Sequence, residues 1–399
     1  MTGLTRLIIG ILVLSLGTSW GMDIKAKSAL IMDADSGKVL WSRDEKASRF
    51  PASTTKIMTA LLLLEHCLPD EVITAPAGIE KIEESSLHLK KGEKIDVENM
   101  LYALMLRSAN DGCVAVAKHI SGSVEAFAKL MNERAKQIGC VNTHFNNPNG
   151  LNDPKHTTCA YDLALIAREA MKYDLFRKVV RTPKKELKRS INQKDLLVEN
   201  HNKWLLKDLS ADGIKTGYTR DAGKCYVGSA TRDGYRIITV ILKTEDWQSD
   251  HQQMLNWAFK NHERRLFAKK GDEVLKVPIA DGESAEVSVK VDSDIYHIYR
   301  LDQKPSVIAS LKVNQNLVAP IKAGQPVGTV TFTDGTGWQV DAPAYLGENV
   351  PARQSLLGTT VGKAGFGILG GVLAFGAFAW RTRAKRSKAY AETARSSFY

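Results

Sequence analysis

The chain has 399 residues, of which 44% are hydrophobic and 25% are charged, and its formal net charge is +11. This length allows two domains with a sizeable core, and the ordinary composition without long low-complexity tracts does not indicate disorder. Part of the positive charge lies in the C-terminal tail, and a solvated basic surface accounts for the rest, so we expect no nucleic-acid partner.

The first 22 residues are typical of a secretory signal peptide. The basic residue Arg6 precedes an apolar run at residues 7–16, and the segment at residues 19–21 offers a cleavage site. An uncleaved N-terminal membrane anchor is the alternative interpretation. Both interpretations predict that the protein is exported.

Residues 23–264 are predicted to form a first domain, in which strands at both ends of the segment enclose a block of helices. Hairpins are expected at residues 28–32 and 38–41, and again at residues 226–230 and 236–242. A helix from Ser53 to Glu65 has so few polar residues that it must be buried in this domain. Apolar residues at helical spacing predict further helices at residues 97–107, 112–120, 124–138, 160–172 and 252–262. The predicted fold class is therefore α+β.

The pattern of apolar and polar residues changes in the C-terminal part of the chain. Residues 265–345 alternate apolar and polar positions, as at Val287, Val289 and Val291, which predicts a small all-β domain. A linker at residues 346–363 leads into an uncharged segment at residues 364–380, which we expect to be a membrane anchor helix. Residues 381–399 form a basic tail, and the positive-inside rule places this tail in the cytoplasm and both domains on the extracytoplasmic side of the cell membrane. A helix lying in the membrane interface is the alternative.

The cysteines indicate neither a complete disulfide framework nor a metal site. The five cysteines cannot all pair within one chain, and their spacing contains no C-x-x-C motif. We expect most of them to be buried as small apolar residues. They are Cys67, Cys113, Cys140, Cys159 and Cys225.

Three short motifs follow one another along the chain, and the first, S-x-x-K at residues 53–56, predicts a nucleophile with its base. Residues three apart share a helix face, so the Lys56 amine can reach the Ser53 hydroxyl. Serine becomes a nucleophile when a neighbour accepts its proton, and burial near the cation Lys215 would lower the pKa of Lys56 enough for that role. A position in the first turn of a helix also directs free backbone N–H groups at developing negative charge. Taken alone, Ser53 would more simply be a helix cap.

The second and third motifs are S-A-N at residues 108–110 and K-T-G at residues 215–217. We place Ser108 and Asn110 on a tight loop between helices, where a hydroxyl can relay a proton and an amide can hold a substrate carbonyl. Helix capping is their alternative role. We place the K-T-G motif at the start of a strand, where Lys215 and Thr216 offer a cation and a hydroxyl to a carboxylate and Gly217 lets a ligand backbone approach closely.

Together the three motifs resemble those of the serine penicillin-recognising enzymes. The sequence around them, at residues 51–60, 106–111, 147–151 and 212–219, is similar to that of serine-type D-alanyl-D-alanine carboxypeptidases, the low-molecular-mass penicillin-binding proteins of the peptidase S11 type. The likeness covers residues 27–262, and the β-rich segment that follows resembles the C-terminal domain of the same family. It implies a catalytic domain of the penicillin-binding transpeptidase and β-lactamase-like fold, with an antiparallel sheet flanked by helices and a helical subdomain.

The resemblance also implies an activity. The enzyme would hydrolyse the terminal D-Ala-D-Ala bond of peptidoglycan stem peptides through an acyl-Ser53 intermediate, would bind β-lactam antibiotics covalently, and would need no cofactor. Lys56 would be the general base, and Ser108 would relay the proton to the leaving D-alanine. The oxyanion hole would consist of the backbone N–H groups of Ser53 and Tyr218. The implied substrate-binding residues are Asn110, Lys215, Thr216, Gly217 and Tyr218.

One part of the implied site has no counterpart in the sequence. Many relatives carry an arginine after the K-T-G hairpin that helps to bind the substrate carboxylate, but residues 245–250 contain none. His156 and Asp162 also belong to the resemblance, and we assign them to packing and capping.

Three alternative functions use the same motifs. A D,D-endopeptidase would cleave peptidoglycan cross-links. A β-lactamase would need a glutamate on a loop before the K-T-G motif, and Glu199 lies in that region without the rest of the loop pattern. A non-catalytic penicillin-binding wall module would have no reason to retain both a nucleophile and its base.

Overall fold

The computed structural model describes residues 22–353, apart from residue 84, residues 304–305 and residues 314–316. Several predicted segments lie outside the described residues: the signal peptide except its last residue, the linker beyond residue 353, the anchor at residues 364–380 and the basic tail. Within the described ranges, no helix is long and apolar enough to cross a membrane.

A five-stranded antiparallel sheet, the central sheet, organises the first part of the chain. Its strand order is β2-β1-β9-β8-β7, so β7 lies at one edge. The strands are β1 (Ser28–Asp33), β2 (Val39–Arg43), β7 (Ala211–Thr219), β8 (Gly223–Arg232) and β9 (Tyr235–Thr244). Alternate residues of β1 enter two different cores, because Leu30 and Met32 pack on one face and Ala29 and Ile31 on the other. Both faces of the sheet are therefore covered.

Helices fill the space on one face of the sheet and supply most of the first core. They are α1 (Lys56–His66), α2 (Val97–Tyr102), α3 (Asn110–Ser121), α4 (Val124–Ile138), α5 (Ala160–Ala170) and α6 (Asp174–Val180). Two small two-stranded sheets lie among them, formed by β3 (Val72–Thr74) with β4 (Lys94–Asp96) and by β5 (Lys184–Glu186) with β6 (Leu197–Glu199). Helix α7 (Trp247–Asn261) belongs to the core on the opposite face of the sheet.

Helix ends explain where the predicted bounds agree with the structure and where they differ. Helix α4 occupies the residues predicted for it, because the Ser123 side chain accepts from the Ala126 N–H at its start and Gly139, with φ of 100°, ends it. Helix α7 begins five residues earlier than predicted, because Asp246 caps the N–H groups of residues 248 and 249. The helix predicted at residues 97–107 is divided, since a wider π-type turn, Ala103–Arg107, follows α2.

The C-terminal part is an all-β unit, as predicted. A five-stranded sheet, the C-terminal sheet, has the order β11-β12-β16-β15-β14, and β10 pairs with β13 beside it. Val289, Val330 and Trp338 are fully buried in its core. The strands are β10 (His262–Ala268), β11 (Glu273–Pro278), β12 (Glu286–Val291), β13 (Ile295–Arg300), β14 (Ile308–Val313), β15 (Pro326–Thr333) and β16 (Gln339–Leu346).

A buried ionic contact joins the turn between β1 and β2 to the C-terminal unit. The Lys38 ammonium lies 3.2 Å from the Asp334 carboxylate, and the side chains are 8% and 0% exposed. His297 contacts the same carboxylate at 3.0 Å through Nε2. The apolar core that includes Ile31 also continues into the C-terminal unit. The two units are therefore packed against each other through both apolar and charged contacts.

Candidate active site

Ser53 lies on a tight turn between the central sheet and helix α1. The turn is a 3-10 segment, Ala52–Thr55, and the α-helix itself begins at Lys56, so the prediction that the helix starts at Ser53 was early by one turn. The buried Thr55 hydroxyl contacts His156 Nε2 at 2.9 Å, which holds the turn in place. Gly150 packs against the turn so closely that a Cβ there would lie 1.8 Å from the Ala52 carbonyl oxygen. Only glycine fits at this position.

Lys56 makes three hydrogen bonds inside the protein. Its Nζ donates to Ser53 Oγ at 3.1 Å, to Asn110 Oδ1 at 2.8 Å and to the Asn149 carbonyl oxygen at 2.7 Å. The side chain is completely buried. Burial lowers the pKa of Lys56 to about 8, because the charged ammonium loses its hydration and none of its three acceptors is a carboxylate. A substantial fraction of Lys56 is therefore neutral just above neutral pH.

Ser108 and Asn110 face the same site from the other side. Ser108 follows the π-type turn in a left-handed conformation, with φ of 65°, and is 4% exposed. Its hydroxyl oxygen has no hydrogen-bond partner among the described residues, although it is buried. Asn110 is the first residue of α3, and its amide group contacts both Lys56 and the Glu83 carbonyl. A polar hydrogen on a substrate would satisfy the Ser108 oxygen.

The K-T-G motif lies in the middle of edge strand β7, rather than at its start as we predicted. The difference arises because the strand already begins at Ala211, four residues before Lys215. Lys215 is 1% exposed, and burial followed by repulsion from Lys56 lowers its pKa to about 7. At Gly217 a Cβ would lie 2.9 Å from the Ser53 backbone nitrogen. The space that glycine leaves is therefore filled by the catalytic turn itself.

These elements enclose a cleft of about 510 Å³. Its walls bring together the predicted residues Ser53, Ser108, Thr216, Gly217 and Tyr218 with four residues that sequence reasoning missed. Among the described residues that line the cleft, Lys224 is a cation and none is an aspartate or a glutamate. The missed residues are Ser85, His201, Lys224 and Trp247.

Lys224 is the missed residue with the clearest chemical consequence. It is the second residue of β8 and lies directly opposite Tyr218 of β7, which places both side chains on the same face of the sheet. Its Nζ donates to the Glu245 carbonyl oxygen at 2.7 Å, and the side chain is exposed. Residues 245–250 supply no cation here, and two of their three carboxylates have structural partners: Asp246 caps α7 and buried Asp250 accepts from the Thr244 hydroxyl.

Several residues that the sequence analysis discussed, apart from the three motifs, do not line the cleft. His156 and Asp162 are buried and bond to neighbouring polar groups, including Thr55 and Thr143. Glu199 is exposed on β6 and pairs with Lys203 at 3.4 Å. All five cysteines are free thiols, and four of them are buried.

Family models place the chain among known proteins. Residues 17–246 match a model described as D-alanyl-D-alanine carboxypeptidase, peptidase S11, and residues 262–352 match the C-terminal domain of penicillin-binding protein 5. The chain belongs to the peptidase S11 family of D-alanyl-D-alanine carboxypeptidases. The predicted family, its serine-type carboxypeptidase activity and the two-part penicillin-binding fold are thereby confirmed.

Individual relatives agree with this assignment. The D-alanyl-D-alanine carboxypeptidase DacF of Bacillus subtilis (strain 168) is 33% identical over 87% of this chain and 94% of its own length. DacA of Escherichia coli (strain K12) is 32% identical over 77% of this chain and 79% of its own length. The crystal structure of penicillin-binding protein 5 from Haemophilus influenzae is 26% identical and superimposes with a TM-score of 0.67, covering 83% of this chain and 99% of that one.

Proposed function

We propose that this carboxypeptidase uses Ser53 to remove the terminal D-alanine of peptidoglycan stem peptides, trimming pentapeptides and limiting cross-linking. The observation that carries the proposal is the 3.1 Å contact between Ser53 Oγ and the amine of a fully buried lysine, Lys56. A base with a lowered pKa beside a hydroxyl in a cleft is the arrangement that nucleophilic catalysis requires.

In the acylation step, Lys56 Nζ takes the Ser53 proton while Ser53 Oγ attacks the carbonyl carbon of the penultimate D-alanine. The backbone N–H groups of Ser53 and Tyr218 would stabilise the oxyanion that forms. The C–N bond then breaks, and the leaving amine receives the proton through the Ser108 hydroxyl. A water molecule attacks the resulting ester with Lys56 again as base, which releases the shortened peptide and restores Ser53.

Substrate binding would set the charges of the two buried lysines. Two ammonium groups in one buried site repel each other, so the loss of a proton from one favours the charge on the other. In the free enzyme burial lowers the pKa of both lysines, and repulsion from Lys56 lowers that of Lys215 further. A substrate carboxylate beside Lys215 would stabilise the ammonium there, and repulsion would then favour neutral Lys56. Binding of the correct substrate would thus prepare the base.

The carboxylate itself would be held by Lys215, Thr216 and Lys224. Thr216 and Lys224 line the cleft together with Ser53, and Lys224 supplies the exposed cation that residues 245–250 lack. Asn110, which contacts Lys56 through Oδ1, would hold the peptide amide. A cation paired with a carboxylate through charge-assisted hydrogen bonds gives both affinity and orientation.

Fluorescent penicillin tests the nucleophile directly. We expect the purified full-length chain to be labelled, because a β-lactam presents a reactive amide and a carboxylate in the same relative positions as the dipeptide. A Ser53→Ala variant should not be labelled. Absence of labelling in the wild type would instead support a non-catalytic wall module.

A product assay separates the enzymatic alternatives. Release of D-alanine from a stem pentapeptide supports the carboxypeptidase, whereas cleavage of a cross-linked dimer without D-alanine release supports the endopeptidase. Penicillin hydrolysis without D-alanine release would indicate a β-lactamase and would refute the proposal.

We further propose that the enzyme acts on the extracytoplasmic side of the cell membrane and is tethered there by residues 364–380. The signal-like N-terminus and the basic tail after residue 380 support this orientation. Protease added to intact spheroplasts should digest the catalytic domain and protect an epitope placed after residue 399. Digestion of both parts, or protection of both, would contradict the proposed topology.

A further inference from the structure

Three residues with metal-binding side chains meet at the far end of helix α1. Cys67 follows the last residue of α1, Glu71 precedes β3, and His119 lies in the last turn of α3. One ligand atom from each residue lies within 4.8 Å of the other two. Cys67 and Glu71 share the loop between α1 and β3, whereas His119 comes from α3, so the cluster joins two segments that are distant along the chain.

The backbone at this cluster is held in place. The Cys67 N–H donates to the Leu63 carbonyl at 3.1 Å, and the Glu71 N–H donates to the Leu68 carbonyl at 3.1 Å. The Glu71 carbonyl in turn accepts from the Val97 N–H at 2.9 Å. Ligands on a fixed backbone lose less conformational freedom when they bind an ion.

The side chains are also oriented towards one another. His119 Nε2 lies 2.7 Å from Glu71 Oε1, and both residues are solvent-accessible, with side chains 24% and 41% exposed. The Cys67 thiol is partly buried beside them. An ion can therefore enter from the solvent, and a water molecule can complete its coordination.

We propose that Cys67, Glu71 and His119 bind a Zn²⁺ ion, with water as the fourth ligand. Thiolate, imidazole and carboxylate are the three side-chain ligands that zinc takes, and their mixture favours zinc over magnesium or calcium, which prefer oxygen alone. Coordination replaces the thiol proton, which passes to the solvent, and requires no oxidant or reductant.

The ion would act as a structural clamp. It would tie the loop after α1 to the end of α3, in the helical part of the molecule. Helix α1 has 11 residues and separates this cluster from the Ser53 turn by roughly 16 Å, at about 1.5 Å per residue. The zinc site is therefore distinct from the active site, and the catalytic steps proposed above do not involve it.

The test is a metal titration of the reduced, chelator-treated full-length chain. Co²⁺ serves as the spectroscopic probe, and Zn²⁺ as the competitor. We expect one equivalent of Co²⁺ to produce a near-ultraviolet thiolate-to-cobalt band that Zn²⁺ then removes. Saturating Zn²⁺ should also raise the unfolding temperature, because it binds the folded state.

Variants decide which residues are ligands. Cys67→Ser should abolish the thiolate band, and His119→Gln should weaken Zn²⁺ binding by about 100-fold, at least as much as the loss of an outer-shell partner. Asp70→Asn is the matched control, because it removes a charge from the same loop without removing a ligand. Circular dichroism of each variant checks that the fold is retained.

Several outcomes would overturn the proposal. Absence of saturable Co²⁺ or Zn²⁺ binding would show that Glu71 and His119 form only a surface ion pair. A thiolate band that survives Cys67→Ser would assign the ion to another cysteine. If Cys67→Ser did not fold, unchanged affinity in His119→Gln would still refute the site.

Discussion

The Lys38 ammonium of the β1–β2 turn contacts the Asp334 carboxylate of the C-terminal unit at 3.2 Å, in a site where neither side chain is more than 8% exposed. Removal of one partner from such a pair leaves an uncompensated buried charge. We therefore expect Asp334→Asn to reduce the free energy of unfolding by about 3–5 kcal/mol, measured by urea denaturation. The exposed change Lys46→Met is the control, with an effect within about 0.5 kcal/mol.

The same contact predicts a dependence of stability on pH. Burial alone would raise the pKa of Asp334, but hydrogen bonds from His297 and Thr336 and the charge of Lys38 lower it from 3.8 to about 2. A carboxyl group with a lowered pKa in the folded state stabilises the fold at pH values above its ordinary pKa. This contribution is lost as the pH falls from about 4 to about 2. An unfolding midpoint with the same acid dependence in Asp334→Asn would contradict this assignment.

The two buried lysines predict a bell-shaped pH profile for acylation. The active form needs Lys56 neutral and Lys215 charged, so the pair must carry one excess proton, and pairs with one proton dominate between the two lowered pKa values of the coupled lysines. We expect the second-order rate of penicillin acylation to peak in this window. In Lys215→Gln the fall at high pH should disappear, because the buried ammonium whose loss of a proton causes it has been removed. A fall at high pH that persists in Lys215→Gln would show that another group causes it.

Lys224 is predicted to recognise the substrate carboxylate. Lys224→Ala should lower kcat/KM for a stem pentapeptide by about tenfold, in line with the loss of one hydrogen bond to a charged group. Lys224→Arg should retain most of the activity, and Arg220→Ala, an exposed cation on the same hairpin, should have little effect. The decisive comparison uses a peptide with an amidated C-terminus, for which Lys224→Ala should make no difference. Equal losses on both peptides would indicate that Lys224 only supports the hairpin.

Gly217 is predicted to control the distance between β7 and the catalytic turn. A Cβ at this position would lie 2.9 Å from the Ser53 nitrogen and 3.1 Å from the Thr54 nitrogen, both backbone atoms. Gly217→Ala should therefore displace the turn, and displacement of about 1 Å can cost about 100-fold in rate. The measurement is the penicillin acylation rate, with the unfolding temperature recorded in parallel. An unchanged acylation rate would show that the strand and the turn can separate without affecting Ser53.

Prediction from the sequence was most accurate for elements whose periodicity and end signals all lie within or next to the element itself. Helix α4 has apolar periodicity, a serine cap and a terminal glycine, and all of these lie within residues 123–139. Helix α6 was missed, because its seven residues are too few to establish a helical period. The π-type turn before Ser108 was also missed, since nothing in the composition of residues 103–107 distinguishes it from an α-helix.

The residues of the active site show the same difference between local signals and positions that depend on the tertiary structure. Ser53, Lys56 and the K-T-G motif were found because each motif is short and ordered along the chain. Lys224 was missed because its position depends on the register of β7 and β8, in which it lies opposite Tyr218. The third acceptor of Lys56 is the backbone carbonyl of Asn149, and a backbone group has no signature in the sequence.

The position of β7 at the edge of the central sheet affects which peptides the enzyme can accept. An edge strand offers its outward N–H and C=O groups to any extended chain, and these groups pair with a peptide main chain whatever its side chains are. Docking along β7 would therefore be permissive towards the composition of the stem. Selectivity would then depend on the D-Ala-D-Ala unit itself, through its small methyl groups and its terminal charge. Such an enzyme could act on cell walls whose stem peptides differ in their middle residues.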